Sequence, residues 1–163
     1  MSDFGSHLQT LRSLIEAHKI RSVFEFGCGL YSTGLFVEKC DTVYACEMQS
    51  KEWYSKIKNQ FINSSNLIIN YFDEKDDTST EAKFLSIDYL KSLNQKFDLI
   101  FVDGHKDSRW LCINIAQDYT NIIVTHDTED NNNYHWHRVN LNENWNRIDI
   151  PDPYPHTTYW IKK

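Results

Sequence analysis

Ionisable side chains gather at two places in this sequence, each at the end of an apolar run. FDLIFVD (97–103) leads into Gly104, His105, Lys106 and Asp107, and NIIVTHD (121–127) ends in His126 and Asp127. Asp103 and Asp127 are carboxylates that could share one Mg2+ or Mn2+, or orient a hydroxyl group. His105, Lys106 and His126 are groups that could take a proton. Histidine titrates near neutral pH unaided, and lysine does so once its pKa is lowered. That difference puts His105 first as a base, Lys106 second and His126 third. A different chemistry is written earlier in the chain. SVFEFG (22–27) gives Glu25-x-Gly27-x-Gly29, followed by Ser32 and Thr33. Glycines let a backbone turn tightly and come close to a ligand, and a helix start offers free N–H groups to an anionic group. DTVYACE (41–47) ends in Glu47, where an acid can accept both hydroxyls of a ribose.

These residues need elements that bring them together. The spacing predicts helices over 7–18, 32–39, 50–62, 82–93 and 107–118, with Trp53, Ile57 and Phe61 on one stripe of the third. It predicts strands over 22–27, 41–47, 66–72, 97–103 and 121–127, and a terminal hairpin of 145–150 with 157–162. The acidic stretch DEKDDTSTE (73–81) reads as an exposed loop. Strands that are apolar throughout, rather than alternating, belong to a sheet covered on both faces. Strand–helix alternation makes the crossovers parallel and right-handed. The expected fold is therefore α/β, doubly wound and Rossmann-like. Its sheet has about seven strands, mostly parallel, with an antiparallel C-terminal hairpin. In such a sheet, ligands sit beyond the carboxyl ends of the strands at the switch point, where all these candidate residues fall.

Composition narrows the classes of function. With 163 residues and no visible linker or repeat, residues 1–163 read as a single domain. Acidic residues outnumber basic ones 23 to 17, a net charge of −6 without a basic stripe, which disfavours nucleic-acid partners. No run approaches the ~20 apolar residues of a membrane span, and the first residues lack the apolar centre of a signal peptide. The expectation is a soluble cytoplasmic protein with no membrane partner. The 4 cysteines show no metal-like spacing, and Cys46 and Cys112 read as buried thiols.

At its glycine loop and strand ends, over residues 20–130, the sequence resembles the class I S-adenosylmethionine-dependent methyltransferases. Glu25-x-Gly27-x-Gly29 is similar to the family's first motif, and the resemblance implies that this loop, with Ser32 and Thr33, holds the methionine part of S-adenosyl-L-methionine. It implies that Glu47, with Met48 beside it, binds the adenosine ribose. It places Asp103 at the meeting point of cofactor and acceptor. A third glycine is absent, Ser32 standing where a nicotinamide fingerprint would want one. DLIFVDGHKDSR (98–109) resembles the fourth motif, and Asp103 with Lys106 has the spacing of the acid and catalytic lysine of catechol O-methyltransferases. Those enzymes bind magnesium through this Asp and a following Asp-Asn pair, which here is Asp127-Thr128.

The implied reaction is O-methylation, in which a hydroxyl acceptor must be aligned and usually deprotonated. A sugar or glycan hydroxyl is the first choice of acceptor, since small methyltransferases resembling this one include sugar and polysaccharide enzymes. A small phenol is second. The domain could also be one module of a larger glycan-building protein. NNNYHWH (131–137) and PYPHTTYW (153–160) offer aromatic faces and polar donors that suit such an acceptor, or else pack a loop and hairpin. His135-x-His137 with Asp130 has the residue types of a metal pair, but the spacing alone is weak. A module that binds the cofactor without chemistry would keep Gly27, Gly29 and Glu47 and need no base.

Overall fold

The central apolar runs become strands because their two sides are both covered, while the run at 67–71 forms a half-buried edge strand. In the computed structural model, which describes residues 5–73, 84–129 and 131–163, β1 (Ser22–Phe26) turns Phe24 and Phe26 to one face and Val23 to the other. Likewise β4 (Leu99–Val102) sends Ile100 and Val102 one way and Leu99 and Phe101 the other, all fully buried. This alternation with burial on both faces is what a two-sided sheet requires. Burying each such side chain is worth about 1.5–3 kcal/mol.

The remaining strands are β2 (Thr42–Glu47), β3 (Leu67–Tyr71), β5 (Ile122–His126), β6 (Trp145–Ile150) and β7 (Thr157–Lys162). They form one seven-stranded sheet in the order β3-β2-β1-β4-β5-β7-β6. The first five pair in parallel, while β7 runs antiparallel to both β5 and β6. The fold class expected from the sequence is thus present, with the hairpin inserted so that its second strand lies against β5.

Helices α1 (Leu8–His18) and α2 (Ser32–Lys39) cover one face, with Leu11, Leu14, Leu35 and Phe36 packed on Val23, Val43 and Phe101. Helices α4 (Leu85–Ser92) and α5 (Arg109–Ala116) cover the other, where Ile87, Leu90, Cys112 and Ile113 meet Phe24 and Ile100. Helix α3 (Lys51–Gln60) adds Ile57, fully buried against Cys28 and Ala45, with Trp53 and Phe61 half-buried beside it. Ser50 caps α3 by accepting from the Trp53 N–H at 3.1 Å. Residues 131–134 form a short helix, α6, and 136–138 a 3-10 turn, in a stretch the sequence left without an element. All 4 cysteines are buried and none is in a disulfide. Residues 74–83 and 130 lie outside the described residues, and with them most of the acidic loop read over 73–81 and the first turn of the helix read over 82–93. Among the described residues no helix is long and apolar enough to cross a membrane.

Candidate active site

The sheet reverses direction of growth at β1, with β2 on one side and β4 on the other, and a cavity of about 520 Å³ opens over their carboxyl ends. Its wall includes His7, Gly27, Gly29, Ser32, Glu47 and Asp103. The backbone can pass there only because side chains are missing. Gly27 sits at φ 86°, and a Cβ on it would strike the Asp103 carbonyl. A Cβ on Gly104 would stand 2.6 Å from the sulfur of Met48, so Met48 is a buried support under the turn rather than part of the cavity wall.

Two carboxyls shape the cofactor side of this cavity. Glu25 is completely buried behind the loop. Its Oε2 accepts from the Thr33 hydroxyl at 2.5 Å, and Thr33 Oγ1 accepts from the Gly29 N–H at 3.0 Å, so the acid ties the glycine turn to the start of α2. Its Oε1 has no hydrogen-bond partner among the described residues. Burial pushes the Glu25 carboxyl up to about 8, against weaker lowering by Ser32 and Thr33. Glu47 faces the cavity. Its Oε1 accepts from the N–H groups of Gln49 at 2.7 Å and Ser50 at 3.1 Å, and Oε2 lies 3.8 Å from the Cys28 thiol. Burial raises its pKa, and the backbone donors oppose that. Trp53 closes the side of the cavity and donates its indole N–H to the Cys28 carbonyl at 2.7 Å.

At the ends of β4 and β5 an arginine organises the acids. Arg109, on the first turn of α5, places Nη1 3.0 Å from Asp103 Oδ1 and 3.0 Å from Asp127 Oδ2. The same nitrogen donates to the His126 carbonyl at 3.1 Å, and Nε donates to the Gly104 carbonyl at 2.9 Å. Tyr134 covers the guanidinium, 4.5 Å from its ring centre, and donates its hydroxyl to Asp127 Oδ2 at 3.1 Å. Burial raises the pKa of Asp103, and Arg109 works against this. A magnesium ion shared by Asp103 and Asp127 does not fit this arrangement. Mg2+ asks for oxygen ligands at about 2.1 Å, and the place between the two carboxylates is filled by a guanidinium.

The proton-accepting candidates divide. His126 is buried, with Nε2 2.6 Å from the Ser6 hydroxyl and Nδ1 3.8 Å from Asp103 Oδ1 and 3.5 Å from Asp127 Oδ1. His105 lies beyond the wall of the cavity, and its Nδ1 accepts from the Asp107 N–H at 3.2 Å. A neutral imidazole has one lone pair, so that bond occupies the one His105 would need as a base. Lys106 is exposed and also off the cavity wall. The chain order that brought 105 and 106 next to Asp103 turns both away from it in space. His135 stands 3.8 Å from Asp107, and Asp130, its suggested partner, lies outside the described residues.

Two residues at this edge escape sequence reasoning. Arg109 is one; the other is His7, which precedes α1 and reaches across the sheet. It is 3% exposed, lies on the cavity wall, and packs edge-on to His126 at 4.7 Å between ring centres. Among the described residues neither of its ring nitrogens has a hydrogen-bond partner. Burial, then the neighbouring His126, push its pKa down to about 3, so the ring is neutral. No periodicity or motif marks a lone histidine before a helix.

No family profile matches this chain, and no curated protein matches it in sequence. Solved structures do. An O-methyltransferase from Bacillus cereus in complex with SAH has a TM-score of 0.71 at 14% identity, covering 95% of this chain and 80% of that one. The N-methyltransferase NodS from Bradyrhizobium japonicum WM9, in complex with S-adenosylhomocysteine, scores 0.62 at 12% identity, covering 96% and 85%. The N-terminal domain of EvdMO1, crystallised in the presence of SAH and D-fucose, scores 0.54 at 13% identity, covering 95% and 66%. At these identities the likeness is one of fold: the chain shares the fold of these methyltransferases.

Proposed function

We propose that this protein is an S-adenosylmethionine-dependent methyltransferase that methylates a hydroxyl of a sugar or glycan. The observation that carries the reading is Glu47. A carboxylate held by two backbone N–H groups, with its other oxygen beside an open cavity of about 520 Å³, is a built acceptor for the paired hydroxyls of a ribose. Gly27 and Gly29 line the same cavity and leave their backbone open to the methionine portion, while the buried Glu25 holds the turn through Thr33. When bound, the cofactor supplies a methyl group on a sulfonium.

The residues around Asp103 do the rest. Asp103 lies on the cavity wall, and Arg109 fixes its direction through Oδ1. Its raised pKa makes it a better proton acceptor than an ordinary carboxylate, which suits it to receive the acceptor's proton. Asp127 holds Arg109 from the far side. Beyond this edge, Arg138 stacks 3.6 Å from the Trp110 ring centre and Tyr134 stacks on Trp136 at 5.5 Å, an aromatic cluster near His135 and Asp107. Aromatic faces next to polar donors are the usual surface for sugars. The D-fucose in the EvdMO1 crystals supports the same choice. The domain would serve as one module of a larger glycan-building protein.

Calorimetric titration with S-adenosylhomocysteine tests the cofactor half. One equivalent should bind, and Glu47→Ala should weaken it by about 1–3 kcal/mol, the worth of a charge-assisted pair of hydrogen bonds. An undiminished affinity in Glu47→Ala would remove the ribose assignment. The acceptor half is tested by transfer of a labelled methyl group to panels of sugars, catechols and amines; labelling of amines alone would overturn it.

A further inference from the structure

We propose that His7, Asp103 and His126 form a site for a borderline divalent transition ion such as Zn2+, beside the acceptor position. The inference rests on the methyltransferase reading only for the ion's role, not for its binding. Among the described residues, these three side chains bring one ligand atom each to within 4.8 Å of one another. They come from three separate places in the fold: the segment before α1, the end of β4 and the end of β5. Ligand atoms sharing a zinc ion, at bonds of about 2.0–2.2 Å, stand roughly 3–4 Å apart. Small rotations about the side-chain torsions therefore close the set.

His7 is the independent observation that points to a ligand. A neutral imidazole, 3% exposed and on the cavity wall, with neither nitrogen bonded among the described residues, forgoes hydrogen bonds that water would give it. A lone pair directed at a cation restores that loss.

The second imidazole is prepared in the same sense. His126 Nδ1 faces Asp103 Oδ1 at 3.8 Å and Asp127 Oδ1 at 3.5 Å, too far for hydrogen bonds of good geometry. Its Nε2 is 2.6 Å from Ser6 Oγ. In the tautomer that donates Nε2–H to Ser6, Nδ1 turns its lone pair toward the carboxylates, where a cation would be held. Histidine ligands characteristically give their other N–H to an oriented acceptor in this way, and Ser6 is one residue from His7. Arg109 occupies Asp103 Oδ1, and a carboxylate retains further lone pairs for a metal.

Two imidazoles and one carboxylate select zinc, iron(II) or cobalt over magnesium, whose preference is for oxygen. This set is distinct from the Asp103–Asp127 pair, where the guanidinium sits. Three protein ligands leave a coordination position open towards the cavity. An acceptor hydroxyl bound there would lose its proton more readily to the neighbouring carboxylate.

The test uses the full chain, freed of metal by chelation and dialysis, and titrated with Zn2+ in a calorimeter. Co2+ serves as a parallel probe whose visible absorption reports nitrogen ligands. The expected result is one equivalent of Zn2+, weakened at least 100-fold in His7→Ala and in His126→Ala and unchanged in His135→Ala. Mg2+ should give no saturable heat. His7→Asn provides a second variant at that position should the alanine fail to give a cooperative thermal unfolding transition. Absence of a bound equivalent, or the same affinity in folded His7 variants, overturns the site. S-adenosylhomocysteine titrated into the same samples separates the two readings. Loss of metal with cofactor binding intact counts against the site alone, and the reverse counts against the cofactor alone.

Discussion

Replacing Glu25 by glutamine should remove much of this protein's sensitivity to alkaline pH. Glu25 is wholly buried and its carboxyl is pushed up to about 8 from an ordinary 4.5, chiefly by burial. In the folded protein it therefore keeps its proton at neutral pH, while in the unfolded chain it loses it near 4.5. Over that window the native state binds more protons, so stability falls as pH rises. The loss is about 1.4 kcal/mol for each pH unit, or about 5 kcal/mol by pH 8. The contribution is fully present below pH 4.5 and gone above pH 8. Glutamine has the same shape and no charge at any pH, and its amide oxygen can still accept from the Thr33 hydroxyl. Urea denaturation of wild type and Glu25→Gln at half-unit steps from pH 5 to 9 measures the difference directly. The variant should be the less stable or equal at pH 5 and the more stable by several kcal/mol at pH 8–9. Parallel stability curves would refute the reasoning, since they would show that Glu25 ionises alike in both states.

Arg109→Met should cost about 3–5 kcal/mol in the same denaturation experiment, because Asp103 and Asp127 would be left facing each other without the charge between them; a loss under 1 kcal/mol would show that the guanidinium is dispensable there. Asp103→Asn should lower turnover by about 10²–10⁴-fold if Asp103 takes the acceptor's proton, while His105→Ala and Lys106→Ala should retain most of it; steady-state rates on the true acceptor decide, and a collapse at His105 with Asp103→Asn active would reverse the order. Gly27→Ala should destabilise the chain by about 1–3 kcal/mol, since φ 86° and the Asp103 carbonyl both oppose a Cβ; an unchanged unfolding midpoint would refute the close approach of β1 and β4.

The fold was legible because its signal is local and repeated. Five apolar runs, each flanked by helical spacing, leave few arrangements other than a covered parallel sheet. The glycine loop and Glu47 were legible for a related reason: each directly follows a strand, so its place in the site is inherited from the strand. At the acid edge Asp103, Asp127 and His126 were legible in the same way, but the residues that join them were not. His7 stands 96 positions before Asp103 in the sequence and meets it only because α1 packs against the face that carries Phe101. Arg109 reads as one more charge at a helix start until α5 docks and its side chain folds back over the strand ends. His105 and Lys106 illustrate the opposite error. Nearness to Asp103 along the chain suggested nearness in space, but the turn after β4 carries both off the cavity wall.

The charges around the cavity also decide which cofactors it can refuse. Its wall carries the carboxyls of Glu47 and Asp103, and among the described residues that line it there is no lysine or arginine. Arg109 is turned to the strand ends, where two carboxylates and two carbonyls already engage it. A dinucleotide would bring two phosphate charges against Glu47 and Asp103 in a partly water-excluded space, where like charges a few ångströms apart cost several kcal/mol. The start of α2 offers partial positive charge enough for one carboxylate at most. A sulfonium, being cationic, meets the opposite field. Titration with NAD+ under the conditions used for S-adenosylhomocysteine should therefore give no saturable heat. Binding of NAD+ at comparable affinity would show that the cavity tolerates phosphates, and the argument from its charge would fail together with the cofactor it supports.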